Sequence, residues 1–157
     1  MTKEGLSEKF SEAELSGDGI FLLIPQRPPM TMVDSFYGCD EDEACCGLTV
    51  KEDNLFCIGG RLTEPGIVEH AAQSVAAMVG YGNYLKNLPP DIGYIGEVKS
   101  FRFFVLPEVG DRLRTVVKET VSVQGTTLAS AKVYVGKTLV AEGQIKFSLK
   151  DGKQDQR

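Results

Sequence analysis

Residues 61–84 form a long segment with few polar positions. Pro65 suits the first turn of a helix, where a missing N–H group costs nothing, and Thr63 or Glu64 can cap that turn. The sequence therefore predicts a helix that begins near Glu64. The side chains that follow are mostly Ala, Val, Ile and Met, which leave little polar circumference. Because a helix that is apolar nearly all round must be surrounded by other structure, we predict a buried central helix.

The polar side chains of this segment need an explanation, because burying a polar or charged group costs free energy. They include Glu69, His70, Gln73 and Ser74. Glu69 and Gln73 lie one turn apart on the same helix face, near its start. His70 lies about 100° round the helix from Glu69, so the two need not share a pocket within one subunit. These positions are the first candidates for a functional site.

The rest of the sequence favours strands. Upstream of the helix, strands are predicted at residues 30–37 and 44–51. Downstream, the apolar period changes to that of strands, which are predicted at residues 92–105, 112–123, 126–135 and 138–149. Two strands, one long helix and four successive antiparallel strands indicate an α+β fold with the helix on one sheet face.

The length and composition fit a single domain. The 157 residues are 42% hydrophobic, which is enough for one proper core. We assign this core to residues 19–149. Residues 1–18 are predicted to be a polar segment that is either a short helix, containing Phe10 and Leu15, or disordered. Residues 150–157 are predicted to be a polar tail.

Charge and cysteine content exclude several kinds of function. A formal net charge of −5 gives no basic excess to neutralise phosphates, so no nucleic-acid partner is expected. The apolar stretches are too short to span a bilayer and the N-terminus has no apolar signal core, so we expect a cytoplasmic protein without a membrane partner. Four cysteines without a C-x-x-C pair, beside a single histidine, offer no standard zinc pattern. We therefore predict free thiols, no metal and no cofactor.

Several segments together resemble a known family. Residues 24–34 read Ile-Pro-Gln-Arg-Pro-Pro-Met-Thr-Met-Val-Asp, similar to the Leu-Pro-His-Arg-x-Pro-x-x-x-Val-Asp opening of bacterial 3-hydroxyacyl-acyl-carrier-protein dehydratases. Residues 69–73, Glu-His-Ala-Ala-Gln, resemble the family's Glu-Ala-x-Ala-Gln helix start. Residues 96–103 and 107–111 resemble the strand that follows and its Pro-Gly-Asp end. The closer resemblance is to the dehydratase-like subfamily of aryl-polyene and related biosynthesis clusters.

The resemblance implies a hot-dog fold, an antiparallel sheet wrapped around one long central helix. It also implies dehydration of 3-hydroxyacyl thioesters in fatty-acid or polyene-type chain biosynthesis. Glu69 would assist the departing hydroxyl, and backbone N–H groups near Gly66 would face the thioester carbonyl. Gln73 is expected to orient Glu69 by a hydrogen bond. Phe56 and Cys57, in the loop where the family carries a histidine, complete the predicted substrate-binding residues.

The resemblance fails at the general base. The family places a histidine in a Gly-His-Phe-x-Gly loop, whereas residues 54–60 here read Asn-Leu-Phe-Cys-Ile-Gly-Gly. The sole histidine, His70, is either a general base or a satisfied histidine of the core or an interface. Glu69 has an alternative reading as a first-turn acid favoured by the helix dipole. Cys57 is an alternative candidate nucleophile, although only His70, whose position the sequence does not give, would lower its pKa.

Three functions therefore stay open: a dehydratase using Glu69 and His70, a hot-dog thioesterase, or a non-catalytic acyl-binding subunit that partners an active dehydratase. The expected substrate is a thioester of acyl carrier protein or of CoA. The expected assembly is a homodimer or larger homo-oligomer joined through sheet edges, or a heterodimer with a second dehydratase.

Overall fold

A computed structural model describes residues 10–149 of the chain. Its strands are β1 (Leu15–Ser16), β2 (Ser35–Asp40), β3 (Glu43–Thr49), β4 (Cys57–Ile58), β5 (Arg61–Leu62), β6 (Gly93–Phe103), β7 (Arg112–Val123), β8 (Thr126–Val135) and β9 (Thr138–Leu149). A 3-10 helix, Gly17–Leu22, follows β1, and one long α-helix, α1 (Glu64–Leu85), lies between β5 and β6. No α-helix within residues 10–149 is both long enough and apolar enough to cross a membrane.

The helix α1 begins where the sequence predicts. Thr63 is its N-cap residue and Pro65 lies in its first turn. The helix continues through Gly80, where a side chain would collide with the backbone carbonyl of Leu23. Gly80 therefore allows α1 to pack closely against the segment after the 3-10 helix. Most of the helix is buried, from Gly66 to Gly80, which confirms the predicted central position.

Seven strands form one antiparallel sheet, in the order β1-β2-β3-β7-β8-β9-β6. The hairpins β7-β8 and β8-β9 have the predicted bounds. The strand β6 does not pair with β7, its successor in the chain; it pairs with β9 and lies at the edge of the sheet. The short strands β4 and β5 pair with each other in a separate hairpin just before α1.

The inner face of the sheet packs on α1 and the outer face carries a smaller cluster. Ala44, Cys46 and Val117 belong to the same core cluster as the helix residue Val75. Their neighbours Cys45 and Val116 face the other way and pack with Phe10. The guanidinium of Arg114 donates a hydrogen bond to the carbonyl of Phe10 and lies 3.7 Å from the ring centre of Tyr37.

The structure differs from the prediction at the N-terminal side. In place of a short helix containing Phe10 and Leu15, Leu15 belongs to β1, which pairs with β2. Phe10 is only 2% exposed. The strand predicted at residues 30–37 corresponds to β2, which begins at Ser35, five residues later than predicted. The prolines before it hold residues 25–34 in an irregular path. The predicted tail, residues 150–157, and residues 1–9 lie outside the described residues.

Candidate active site

A pocket of about 210 Å³ lies between α1 and the edge strand β6. The helix contributes Glu69 and Gln73, with the small side chains of Ala72 and Ala76 between and beyond them. Ala72 and Gln73 each lie three or four residues from both Glu69 and Ala76, so the four residues form one stripe along the helix. The pocket is lined by Gln26, Glu69, Ala72, Gln73, Ala76, Gly93, Tyr94, Ile95 and Phe147. Among the described residues that line the pocket, Glu69 is the only ionisable one besides Tyr94.

Gln73 holds Glu69 by a hydrogen bond. Its Nε2 donates to Oε2 of Glu69 at 2.8 Å and to the carbonyl of Met30 at 2.8 Å, while its Oε1 accepts the N–H of Met32 at 2.6 Å. The backbone partners decide which amide atom is which, because Met32 offers a donor and Met30 an acceptor. The Gln73 side chain is therefore anchored by the backbone, and its hydrogen bond holds the carboxyl group of Glu69, which lines the pocket.

His70 lies on a different side of α1 and is completely buried. Its Nδ1 is 2.7 Å from the carbonyl of Met32 and its Nε2 is 2.7 Å from the hydroxyl of Thr115 on β7. Since a carbonyl can only accept, Nδ1 carries a proton, and in the neutral ring Nε2 accepts from Thr115. Burial lowers the pKa of His70 to about 4, although the Met32 hydrogen bond and the nearby Asp34 charge act in the opposite direction.

These contacts favour the structural reading of His70 over the catalytic one. Both ring nitrogens are used within the protein, and the ring does not line the Glu69 pocket. A general base must reach the proton that it abstracts. His70 instead ties residue 32 and strand β7 to the helix. The structure thus separates Glu69 and His70, the two residues predicted as catalytic.

The other predicted binding residues gather around the start of α1. A side chain at Gly66 would place its Cβ 2.6 Å from Cβ of Phe56 and 2.7 Å from Cδ1 of Leu62. Only glycine fits there. The hydroxyl of Thr63 donates to the carbonyl of Phe56 at 2.7 Å and makes no capping bond to the helix. Gly66 and Phe56 do not line the Glu69 pocket, so their substrate contacts stay a prediction.

Cys57 lies on the short strand β4, outside the Glu69 pocket. Its thiol donates to the carbonyl of Lys51 at 3.5 Å. Partial burial raises the pKa of this thiol above its ordinary value. A thiol with a raised pKa is a poor nucleophile at neutral pH. The structure therefore offers no support for Cys57 as a reactive group.

Gln26 lines the pocket but was not predicted as a site residue. Its Oε1 is buried and has no hydrogen-bond partner among the described residues. An unpaired buried polar atom in a pocket wall is unusual and indicates either a cost tolerated by the fold or a ligand partner. The signal was present in the sequence, because Gln26 stands in the Pro-Gln-Arg-Pro-Pro-Met segment that resembles the family opening.

The strand β6 gives the pocket an exposed wall. Tyr94 and Ile95 are 57% and 40% exposed, and Val98 further along the strand is 42% exposed. Apolar side chains on an unpaired strand edge are typical of surfaces that pair with another chain. The same strand thus borders the pocket and forms a sheet edge at which no further described strand pairs with it. Within residues 10–149, no group of three or more acidic, His or Cys side chains is placed to hold a metal ion.

Comparisons with solved structures identify the fold. The chain resembles the dehydratase heterocomplex ApeI:P from Xenorhabdus doucetiae, with a TM-score of 0.78 and 15% identity over 84% of this chain and 91% of that chain. Cj0977, a sigma28-regulated virulence protein of Campylobacter jejuni, matches at TM-score 0.64 and 15% identity, covering 83% of this chain and 93% of that chain.

A hypothetical thioesterase with coenzyme A from Streptococcus pneumoniae matches at TM-score 0.57 and 9% identity, covering 73% of this chain and 84% of that chain. No curated protein sequence matches significantly. Because the sequence identities are low, the structural matches are evidence about the fold alone. They confirm the predicted α+β hot-dog fold. A family model described as ApeP dehydratase, however, matches residues 19–156. Since that match spans most of the 157-residue sequence, the chain belongs to the ApeP-like dehydratase family.

Proposed function

We propose that this chain is a dehydratase subunit for 3-hydroxyacyl thioesters, in which Glu69 acts as the general acid. The observation that carries the proposal is the placement of Glu69, which Gln73 orients on the wall of a pocket otherwise lined mainly by small or apolar side chains. A carboxyl group in such surroundings has a partner to hold its orientation and open space in front of it. This combination suits a group that exchanges a proton with a bound substrate.

The reaction needs two proton transfers. A base removes a proton from C2 of the acyl chain, the C3–O bond breaks, and the acid gives its proton to the departing hydroxyl. The products are a 2-enoyl thioester and water. Glu69 would supply the second proton, and N–H groups near Gly66 at the positive end of α1 would stabilise the charge that develops on the thioester oxygen.

The base would come from a partner subunit. The only histidine of this chain is buried and paired on both nitrogens, and the loop at residues 54–60 contains none. A second copy of this chain would bring no further histidine, so we favour a heterodimer with a second dehydratase over the predicted homodimer. Pairing along β6 would place the partner next to the pocket, because Tyr94 and Ile95 belong to both. The similarity to a dehydratase heterocomplex supports this assembly.

The substrate would be carried by acyl carrier protein or by CoA, in fatty-acid or polyene-type chain biosynthesis in the cytoplasm. A thioesterase is the second candidate, because a hot-dog protein described as a hypothetical thioesterase is among the structural matches and this fold supports both reactions. In that case Glu69 would activate a water molecule. The third candidate function is a non-catalytic subunit whose pocket binds the acyl group while the partner subunit catalyses the reaction.

A product assay separates these functions. The full chain is given a 3-hydroxyacyl thioester, first alone and then with a hot-dog dehydratase that carries the loop histidine and copurifies with it. We expect 2-enoyl thioester only from the complex, and a large loss of rate when the complex contains Glu69→Gln. Release of free thiol would identify a thioesterase. If the complex that contains the Glu69→Gln variant dehydrates the substrate as fast as the complex that contains the unmodified chain, this chain is a non-catalytic subunit.

A further inference from the structure

The pocket that holds Glu69 ends at the aromatic side chain of Phe147 on β9. Phe147 is 5% exposed. It lines the 210 Å³ pocket and also a separate narrow gap of about 10 Å³. Ala76 is the other residue common to the linings of these two spaces. The phenyl ring of Phe147 and the methyl group of Ala76 therefore lie at the limit between the pocket and the gap.

The ring of Phe147 is held between the edge strand and the helix. On the strand side it lies against Gly93, where any side chain would collide with the ring. On the helix side the adjacent residue is Ala76, whose methyl group leaves room rather than filling it. Because both neighbours are small, the bulk of the phenyl ring is what separates the pocket from the gap.

Space continues beyond the ring. The gap is also lined by Val79 and Leu149, and these two residues border a larger cavity of about 330 Å³ near the end of α1. The inward-facing residues Phe147 and Leu149 are two positions apart on β9, so they stand in sequence along the same path. A straight chain that passed Phe147 would therefore enter a space bordered by the apolar side chains of Val79 and Leu149 and by the polar side chains of Asn83 and Asp91.

We propose that Phe147 is a specificity-determining residue that limits the length of the acyl chain. The inference rests on the proposed function, since it takes the Glu69 pocket as the acyl site. Chains that fit between Glu69 and the ring would bind in full. Longer chains would be rejected by steric conflict with the ring, which is 5% exposed and lies against Gly93.

The test measures binding of straight-chain acyl pantetheine thioesters, from short to long, to the full chain and to Phe147→Leu and Phe147→Ala. Removing the ring should shift the preference toward longer chains by roughly tenfold or more, the usual effect of one or more methylene groups in an apolar pocket. Ala76→Val should shift it toward shorter chains. Phe36→Leu is the matched control, because Phe36 is fully buried but lines neither space, and it should leave the profile unchanged.

The binding profile is independent of turnover. If the profile shifts in Phe147→Leu although no dehydration is ever detected, the inference stands and the proposed reaction fails. If dehydration depends on Glu69 while the profile of Phe147→Leu matches that of the unmodified protein, the inference is overturned and the reaction stands. The inference would also be overturned if Phe36→Leu shifted the chain-length preference to the same extent. It would be overturned as well if the unmodified protein bound none of the acyl thioesters. The leucine variant keeps the test valid if the alanine variant does not fold.

Discussion

Glu69 and His70 are adjacent in the sequence, yet they face different parts of the molecule. Glu69 is partly buried and lines a pocket beside β6, the edge strand of the described sheet. His70 is completely buried between α1, residue 32 and strand β7. Glu69 is oriented by one side chain, whereas both nitrogens of His70 are used by the fold. The contrast shows that chemical type alone does not decide how accessible a polar side chain on this helix is; its position on the helix and its hydrogen-bond partners do.

Met32 connects the two sides of the helix. Its N–H donates to Gln73 on the Glu69 side and its carbonyl accepts from His70 on the other. Through these bonds the irregular segment that resembles the family opening is fixed to the helix. The difference between Glu69 and His70 can therefore be tested by replacing the residues of one side at a time. The measured quantities are the reaction rate and the free energy of unfolding.

The largest expected effect is on the Glu69 side. Glu69→Gln keeps the size of the side chain and an oxygen that accepts from Gln73, but it removes the proton for transfer. We expect the dehydration rate of the complex to fall by about 10²–10⁴, the usual contribution of a general acid. Thermal unfolding should show an intact fold. A variant that retains the full rate would rule out Glu69 as the acid.

The next effect concerns His70 and appears in stability. Its pKa is about 4 in the folded protein against an ordinary value of 6.5, so the unfolded chain binds the proton first as the pH falls. The stabilising contribution is complete above about pH 6.5 and is lost as the pH drops toward 4, by on the order of 3 kcal/mol. Urea unfolding across this range measures the loss.

His70→Asn is the control for that pH dependence. The variant should be less stable at neutral pH, because Asn cannot reach both Met32 and Thr115, but it should lose less stability on acidification. Its rate per folded molecule should stay close to that of the unmodified chain. A rate loss as large as that of Glu69→Gln would instead assign His70 a catalytic role.

Gln73 should affect both properties to a smaller degree. Gln73→Leu leaves the N–H of Met32 and the carbonyl of Met30 without their partner, at a cost of about 1–3 kcal/mol in the free energy of unfolding. The rate should fall less than in Glu69→Gln, because the acid remains but is less well oriented. Gln144→Leu, on β9 and outside the pocket, should change stability by under about 0.5 kcal/mol. Equal losses in both variants would contradict the anchoring role.

Gln26 is expected to affect stability less than Gln73 does. Its Oε1 is buried without a partner among the described residues, so Gln26→Leu removes a polar atom that contributes no bond there. We expect the free energy of unfolding to stay within about 1 kcal/mol of the original value or to rise. Urea unfolding beside Gln73→Leu makes the comparison direct. A loss equal to that of Gln73→Leu would mean that Gln26 is also a structural anchor.

The sequence by itself determined the elements with strong local patterns. Pro65 and the apolar run after it predicted the start of α1, and alternation predicted the bounds of β7, β8 and β9. The pairing of Glu69 with Gln73 also follows from their spacing of one helical turn. In each case the interaction lies within one element or one hairpin, so the period of the sequence contains the information.

Only the tertiary structure decided the features that join distant segments. The partners of His70 are 38 and 45 positions away, at Met32 and Thr115, and nothing in the helix sequence distinguishes this arrangement from an exposed base. The pairing of β6 with β9 and the burial of Phe10 on the outer face are of the same kind. Local patterns report which face of an element is apolar, whereas the identity of the group packed against that face depends on how the whole chain closes around the helix.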